Sequence, residues 1–432
     1  MRVSRPLTSV FVGSFALSCN GLDDPFAIPP PQSCEVADQN DYVFEVMRRT
    51  YLWNDGMPQT DSNTFASPEE LLAALRREDI DRWSRISDKQ KSDAFFKQGM
   101  VVGLGFRSKR DAGNALRIAS IYGGSPAEHA GLQRGDFIRS VNHVTVEELD
   151  SQNGWSNIYG TNEPGIVVEL TVESLEGTLE DVTVTKDWIT IPTVPVHWVR
   201  RVGARNIGYL AFETFVDTSN AQLDSAFSTF REQGVDDVIV DLRYNGGGRV
   251  QVAHHLVNLL VGGRADDKVA YRVAYNDDLS RQDVVQYVAR TDVSVAPERI
   301  VFLTTPTTLS ASELVINAVR PHATVYTVGS VTGGKPVGSL SWSFCDKILF
   351  PITFQLVNAK NEGDYFDGLA TRCSAIDDFS HAIGDVEEGM LAEALHLLGE
   401  GDCSPVQAVV SPAEAFQATA LPWELDELRG VR

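Results

Sequence analysis

Hydrophobic and polar residues follow different periods in three successive segments of the chain. Over residues 35–98 apolar side chains recur at helical spacing, first in the run from Val43 to Met47. A second helix is predicted to begin after Ser67, a suitable N-cap, with Pro68 at the first helical position and glutamates in the first turn. This segment is therefore predicted to be a small helical region.

Residues 99–188 consist of short strand-like runs separated by turn formers. The runs are VVGLGF, ALRIASI, DFIRSVN, GIVVELTV and EDVTVTK. Their length and spacing predict a compact β-rich module.

Strands and helices alternate over residues 189–403. The predicted order is a strand in NIGYLAFETF, a helix over 218–233, a strand in DDVIVDLRY, a helix from Val250 to Val261, a strand in RIVFLTT, a helix in SASELVINAVR and a strand in ATVYTVG. A hairpin in SWSFCDKILFPITFQLVN and a last helix in GDVEEGMLAEALHLLG follow, and residues 404–432 form a tail without a pattern. The alternation predicts an α/β layered core with βα turns available for a site. The fold class we expect for the whole chain is α/β (α+β), multidomain.

The first 18 residues have the pattern of a secretory signal peptide. Arg2 and Arg5 precede a charge-free, mostly apolar stretch that is too short to span a bilayer. Ala16-Leu17-Ser18-Cys19 resembles a bacterial lipoprotein signal, in which Cys19 becomes lipidated; ordinary cleavage with Cys19 incidental is the alternative. The proline-rich residues 19–34 would then be a tether. We expect an exported protein on the periplasmic or cell-envelope side, attached to a membrane by a lipid anchor only.

Charge argues against a nucleic-acid partner. The chain has 37 basic and 59 acidic residues and a formal net charge of −22. A phosphate backbone would be repelled in the absence of a basic run, and the sequence contains none.

Four cysteines remain after Cys19, an even number that fits two disulfides in an exported chain. Three pairings are open, and we hypothesise that Cys345 pairs with Cys373 across the 346–372 insertion. The four residues are Cys34, Cys345, Cys373 and Cys403. Because neither CxxC nor HExxH occurs and the histidines are scattered, we expect no metal and no cofactor.

Three βα loops of the α/β segment could carry chemistry. In DLRYNGGG a buried strand runs into Gly246, Gly247 and Gly248, whose backbone N–H groups could face an anion or oxyanion. A tight structural turn is the alternative. The spacing matches neither GxxxxGK[ST] nor GxGxxG, so a nucleotide site is not supported.

The second loop is TLSASE, between a strand and an amphipathic helix. Ser310 and Glu313 have the spacing of a capping box, which alone would explain both residues. A hydroxyl at the start of a helix is also exposed near the positive end of its dipole, where a nucleophile is well placed.

The third loop contains Gly333-Gly334-Lys335-Pro336 after the next strand. A lone lysine in a glycine loop is usually a solvated surface charge. The order of elements, however, can return Lys335 to the end of the sheet that carries Ser310, where a buried amine could act as general base. His322, at the end of the same helix as Ser310, would instead cap that helix, and no G-x-S-x-G elbow occurs.

These motifs, taken in order over residues 40–400, resemble the C-terminal processing, or tail-specific, serine peptidase family. The residues that carry the resemblance are LSASE, a lysine 25 positions after Ser310, the upstream DLRYNGGG, and a GLGF…GSPAEHAGLQRGDFI module. The resemblance implies the family's mixed α/β peptidase fold, Ser310 as nucleophile and Lys335 as base. It also implies oxyanion-hole N–H groups from Gly246 or Gly247 and from Ala311.

One position departs from the family pattern. Many members carry Gln four residues after the lysine to orient it, whereas this chain has Ser339. The third catalytic residue is therefore open, and Glu313 is the candidate for orienting the lysine or the serine.

The module at 99–188 resembles a PDZ domain, a family that binds free peptide C-termini by strand addition. By this resemblance the loop Gly103-Leu104-Gly105-Phe106 would hold the terminal carboxylate with backbone N–H groups, and Leu104 and Phe106 would line an apolar pocket. A glycine-kinked strand is the alternative interpretation of the loop.

We expect a serine endopeptidase with a Ser-Lys dyad that acts on exported proteins or peptides with free C-termini. The alternatives are a catalytically silent PDZ-containing peptide-binding scaffold and a non-proteolytic hydrolase on a related fold. We also hypothesise that a C-terminus bound to the PDZ module gates the active site.

Overall fold

The computed structural model describes residues 24–405. The predicted signal peptide, the lipidation candidate Cys19 and residues 406–432 of the tail lie outside the described residues. Between residues 24 and 405, no helix combines the length and hydropathy needed to cross a membrane.

The N-terminal region is built from short helices around one apolar cluster. Its elements are α1 (Val36–Thr50), α2 (Pro68–Leu75), β1 (Arg85–Asp88) and α3 (Lys89–Asp93). The predicted cap of α2 is present, since Ser67 Oγ accepts a hydrogen bond from Glu70 N at 3.2 Å. The cluster includes Trp83 and also side chains from far along the chain, such as Val337 and Ile352.

The next region is a β-rich module with its own core. Its elements are β2 (Met100–Gly103), β3 (Phe106–Arg110), β4 (Leu116–Ile121), α4 (Pro126–His129), β5 (Phe137–Val141), β6 (Val144–Thr145), α5 (Val146–Gln152), β7 (Val167–Glu173), β8 (Leu179–Thr185) and β9 (Asp187–Thr190). The sheet order is β3-β4-β5-β7-β8, with β6 paired to β5, and β2 pairs with β9. Strand β3 is therefore an edge strand of this sheet.

The remaining elements form the α/β core. They are β10 (Val196–Val202), β11 (Arg205–Ala211), α6 (Ser219–Glu232), β12 (Asp237–Asp241), α7 (Val250–Ala265), β13 (Val269–Ala274), β14 (Val284–Tyr287), β15 (Arg299–Thr304), α8 (Ala311–Val319), β16 (Thr324–Gly329), β17 (Val337–Gly338), β18 (Trp342–Phe344), β19 (Lys347–Phe350), β20 (Phe354–Asn358), β21 (Cys373–Ser374) and α9 (Gly389–Glu400).

The central sheet has the order β10-β11-β12-β15-β16-β21 and is parallel from β11 to β21. Apolar side chains of α6, α7 and α8 cover one face, and those of α9 cover the other. Because both faces are covered, β12 is buried at every position, which explains the three consecutive apolar residues Val238–Val240 at its centre. The fold class expected from the alternation of elements is confirmed.

The predicted hairpin in residues 341–358 is wrong in its second half. Strands β18 and β19 do form a hairpin, which pairs with β1 of the N-terminal region, but β20 joins a different sheet in the order β14-β13-β20-β17. Pro351 follows β19 directly and has no N–H to donate to a ladder, so pairing stops there.

Four of the cysteines form two disulfides, as the even number suggested, but the pairing of Cys345 with Cys373 is wrong. Cys34 is bonded to Cys345, and Cys373 to Cys403. Cys345 lies in the turn between β18 and β19, and this hairpin packs on the N-terminal cluster next to α1. Cys373 begins β21 in the central sheet, where the chain returns after α9.

Candidate active site

The three loops singled out from the sequence lie at one edge of the central sheet. Strands β12, β15 and β16 are parallel neighbours, so the loops that follow them emerge from the same edge. These loops carry Gly246 and Gly247, Ser310, and Lys335 respectively. Gly333 N donates to Thr308 O at 3.0 Å, which ties the lysine loop to the serine loop.

Ser310 has a strained backbone at the start of α8. Its φ is 58° and its ψ is −113°, a conformation that costs on the order of 1–3 kcal/mol for a residue with a Cβ. Buried hydrogen bonds hold the turn, because Asn245 O accepts from Leu309 N at 3.2 Å and from Ser312 Oγ at 2.9 Å. The side chain of Ser310 is half-buried. The hydrogen-bonded turn thus holds the hydroxyl of Ser310 in place at this edge of the sheet.

Because Gly247 has no side chain, it leaves room for the turn that carries Ser310. A Cβ at this position would lie 2.9 Å from Leu309 O and 3.0 Å from Ser310 Cβ, and its φ of 102° already disfavours other residues. Its own N–H is engaged, since it donates to Asn245 Oδ1 at 2.9 Å. Among the hydrogen bonds of residues 24–405, none has the N–H of Gly246 or of Ala311 as donor to a protein acceptor. Gly246 thus fits the role of an oxyanion donor better than Gly247 does.

Glu313 connects the two loops. Its carboxylate is buried in the first turn of α8. Oε2 accepts from Ser310 N at 2.9 Å and from Lys335 N at 2.8 Å, and Oε1 accepts from Gly334 N at 2.8 Å and from Thr332 Oγ1 at 2.5 Å. Burial raises the pKa of Glu313 above its ordinary value, while these hydrogen bonds act in the opposite direction. Since Ser310 N and Lys335 N share one oxygen, they lie within about 6 Å of each other.

Lys335 is half-buried, and its ammonium faces an aromatic ring from the N-terminal region. Nζ lies 5.9 Å from the centre of the Trp83 ring. Gly334, with a φ of 78°, packs so tightly that a Cβ would lie 2.1 Å from Phe366 O. Ser339 Oγ is buried, and within the described part of the chain it has no hydrogen-bond partner.

Arg243 holds the strand end that precedes the glycine turn. The guanidinium is 1% exposed and contacts three carboxylates, Asp241 at 2.8 Å, Asp377 at 3.0 Å and Glu388 at 2.7 Å. Burial opposes ionisation of Asp377, but Arg243 and Arg134 outweigh it and hold the pKa of Asp377 well below its ordinary value. The turn that carries Gly246 therefore rests on a buried, paired charge network.

Side chains of the 99–188 module reach this network. Arg134 Nη1 donates to Tyr244 Oη at 2.8 Å, and Arg134 Nη2 contacts Asp377 at 2.8 Å. Lys109 on β3 lies 5.1 Å from the centre of the Tyr244 ring. Arg107, also on β3, is ion-paired with Glu213 of the core. Three cations of the module thus contact the core, and two of them contact Tyr244, two residues before Gly246.

The GLGF loop connects β2 to β3. The side chains of Leu104 and Phe106 are each 5% exposed and belong to the core of the module. Leu104 O accepts from Ala127 N and Gly105 O accepts from Tyr122 N, both at 2.9 Å. Over residues 24–405, no hydrogen bond has Leu104 N or Gly105 N as donor to a protein acceptor. Gly103 ends β2, so the loop presents backbone N–H groups beside an edge strand.

His322 is separate from this constellation. Its Nε2 is hydrogen-bonded to Val269 O at 2.8 Å, beyond the C-terminal end of α8. The imidazole therefore contacts β13, at the opposite end of α8 from Ser310.

Three segments of the chain match known family models. Residues 38–85 match the N-terminal domain of peptidase S41, residues 117–152 match a PDZ domain, and residues 206–369 match peptidase family S41. The chain is 26% identical over 302 residues to the chloroplastic C-terminal processing peptidase of Tetradesmus obliquus, covering 67% of this chain and 62% of the relative. It is 25% identical over 273 residues to the carboxyl-terminal-processing protease of Synechocystis sp., covering 63% and 61% respectively. The chain thus spans only about three-fifths of the length of these curated relatives.

Among solved structures, a protein assigned to the S41 proteases from Bacteroides fragilis has a similar fold. The TM-score is 0.68 at 23% identity, covering 83% of this chain and 97% of the other. This match shows a shared fold. The family models and the curated relatives confirm the resemblance to C-terminal processing peptidases inferred from the sequence.

Proposed function

We propose that the chain is a peptidase of family S41 and a serine endopeptidase with a Ser310–Lys335 dyad, because its segments match the models of that family, of the family's N-terminal domain and of a PDZ domain. The observation that carries the proposal is the bridge made by Glu313. One carboxylate oxygen accepts from the backbone N–H of both Ser310 and Lys335, at 2.9 and 2.8 Å. The backbones of the two loops that carry the proposed nucleophile and base are thereby tied together.

In the proposed reaction, the neutral amine of Lys335 takes the proton of Ser310 Oγ as the oxygen attacks the scissile carbonyl. The N–H groups of Gly246 and Ala311 stabilise the oxyanion of the tetrahedral intermediate. Collapse of the intermediate breaks the C–N bond, and Lys335 returns the proton to the leaving amine. Water then hydrolyses the ester on Ser310: Lys335 accepts a proton from the attacking water and returns it to Ser310 Oγ as the acyl C–O bond breaks. Glu313 is a positioning residue in this scheme.

The PDZ module is proposed to recruit substrates by their C-termini. The edge position of β3 supports strand addition, and the N–H groups of Leu104 and Gly105 are suited to a terminal carboxylate. Peptides that differ only in a free or an amidated C-terminus test this. The free acid is expected to have the lower KM, and equal KM values would contradict the role.

We also propose that the module gates catalysis, because Lys109 and Arg134 contact Tyr244 beside the glycine turn. Deleting residues 99–188 is expected to change the cleavage rate of short and long substrates alike. Unchanged rates on both would end this part of the proposal.

The chain is further proposed to be an exported lipoprotein. Labelling with a radioactive fatty acid in a bacterial host is expected to modify the protein and to fail in Cys19→Ser. An unlabelled wild type would indicate ordinary signal-peptide cleavage.

The test of the peptidase activity is cleavage of an unstructured protein with a hydrophobic C-terminus. Wild type is expected to cut, whereas Ser310→Ala and Lys335→Ala are expected to be folded and inactive. If none of the three cuts but all bind C-terminal peptides, the chain is a peptide-binding scaffold.

A further inference from the structure

The turn Asp81-Arg82-Trp83-Ser84 lies between α2 and β1 of the N-terminal region and contacts the lysine loop of the core. Asp81 is buried, and its Oδ1 accepts from Trp83 N at 3.0 Å and from Ser84 N at 2.9 Å. Ser84 Oγ in turn accepts from Ile352 N of the core at 2.9 Å. The turn is therefore rigid in itself and fixed to the peptidase core.

Two side chains of this turn reach the segment that carries the general base. Arg82 Nη2 donates to Gly333 O at 2.9 Å, two residues before Lys335. The ring of Trp83, 3% exposed, has Arg82 Cζ at 5.0 Å and Lys335 Nζ at 5.9 Å from its centre. A buried aromatic face at this distance attracts an ammonium and excludes water from one side of it. The backbone of the loop and the amine at its tip are thus both contacted from outside the peptidase core.

We propose that Trp83 and Arg82 are positioning residues for the amine of Lys335, contributed to the active site by the N-terminal region. Arg82 fixes the loop at Gly333, and Trp83 limits the directions that the long lysine side chain can take. The inference rests on the proposed function, since it concerns the base of the Ser310–Lys335 dyad. Glu313 contacts the backbone N–H of Lys335, whereas the Trp83 ring faces the amine at the end of the flexible four-carbon side chain.

The main test compares Trp83→Phe with Trp83→Leu. The leucine variant keeps an apolar side chain but loses the aromatic face, and we expect kcat to fall about 30-fold with KM within about twofold. The ascending limb of the pH profile of kcat is expected to move down by about half a pH unit, because the ring no longer stabilises the charged amine. Trp83→Phe is expected to restore kcat to within about threefold of wild type. Arg82, which contacts the same ring, and Glu313, which contacts the backbone of Lys335, are unchanged in both variants.

Trp342→Leu is the matched control. Trp342 is 8% exposed and belongs to the same apolar cluster, where its Nε1 donates to Phe26 O at 3.1 Å. This variant is expected to lower the melting temperature about as much as Trp83→Leu while leaving kcat and its pH profile unchanged. If the two leucine variants have the same kcat and pH profile, Trp83 has only a structural role and the proposal is wrong.

Arg82 provides a second test that does not depend on the folding of a core variant, because its side chain is exposed. Arg82→Gln is expected to lower kcat about tenfold with an unchanged melting temperature, and Arg82→Lys is expected to recover part of the loss. Wild-type kcat in Arg82→Gln would contradict the role of Arg82. An inactive wild type would instead refute the proposed peptidase function, so the two failures are distinguishable.

Discussion

Replacing Glu313 by glutamine separates its proposed role in the active site from its role as a helix cap. Glutamine has nearly the same shape but only one acceptor oxygen, whereas the carboxylate accepts from four donors. If the amide oxygen faces Ser310 N and Lys335 N, the amide NH₂ faces Thr332 Oγ1 and Gly334 N. Thr332 can rotate its hydroxyl, but Gly334 N loses its acceptor.

The magnitude follows from these contacts. An orphaned buried N–H costs about 1–3 kcal/mol, and each remaining hydrogen bond loses part of the extra strength that a charged acceptor gives. The glutamine is neutral and recovers some of the cost of burying a carboxylate, whose pKa is raised by that burial. We therefore expect the free energy of unfolding to fall by about 2–4 kcal/mol. Displacement of the lysine loop by about 1 Å would lower kcat about 100-fold.

The assay measures kcat and KM on a peptide substrate and unfolding in urea for wild type, Glu313→Gln and a control. Glu393→Gln is the control, because Glu393 is also buried but accepts from Ser404 N, at the end of α9. We expect it to lose stability and keep kcat. If Glu313→Gln loses the expected stability but keeps kcat within about threefold of wild type, the carboxylate is only a helix cap and the reasoning is refuted.

Three further predictions concern the glycine turn, the charge network and the disulfides. Gly247→Ala is expected to lower kcat at least about 100-fold, since its Cβ would displace the Ser310 turn. Gly203→Ala is the control and should keep kcat, because Gly203 also has a positive φ but a Cβ there would have no atom within 4 Å. Equal kcat values in the two variants would contradict this prediction. Asp377, with its lowered pKa, contributes stability that is present above the unfolded-state pKa of about 3.9 and is lost as pH falls through the folded-state value. Urea titrations should therefore show a shallower loss of stability below pH 4 in Asp377→Asn than in wild type. Parallel curves for the two proteins would argue against this prediction. Removing the disulfide Cys34–Cys345, which closes a sequence separation of 311, should lower the free energy of unfolding by about 2–5 kcal/mol. This loss should exceed the loss on removing Cys373–Cys403, which closes a separation of 30. The reverse order in urea unfolding would contradict the loop-entropy account.

The sequence predicted those parts of the fold and site that depend on local pattern. The order of strands and helices follows from periodicity, and parallel strands bring the loops with Ser310 and Lys335 to one edge without further information. The spacing of Ser310 and Glu313 predicted the cap, and the structure adds that the same carboxylate also binds the lysine loop. The contact between Glu313 and the lysine loop could not be predicted from the spacing of the capping box.

The parts that the sequence did not predict depend on contacts between distant residues. Arg82 and Gly333 are 251 positions apart, and Arg134 and Tyr244 are 110 apart, so no spacing signals either pair. The disulfide hypothesis went wrong for the same reason, since Cys345 was assigned to a nearby cysteine, whereas the hairpin that carries it packs on α1. Nothing in the sequence distinguishes Arg82 and Arg134 from ordinary surface arginines, or Trp83 from a tryptophan that only packs in the core.

The most direct test of the central claim is the reaction of the protein with a fluorophosphonate, followed by intact mass and peptide mapping. The account predicts one adduct per chain, on Ser310, formed faster as pH rises and strongly slowed in Lys335→Ala. The N–H groups of Gly246 and Ala311 are expected to hold the phosphonyl oxygen in the manner proposed for the oxyanion. An adduct on another residue, or cleavage of peptides that persists in Ser310→Ala, would contradict the account.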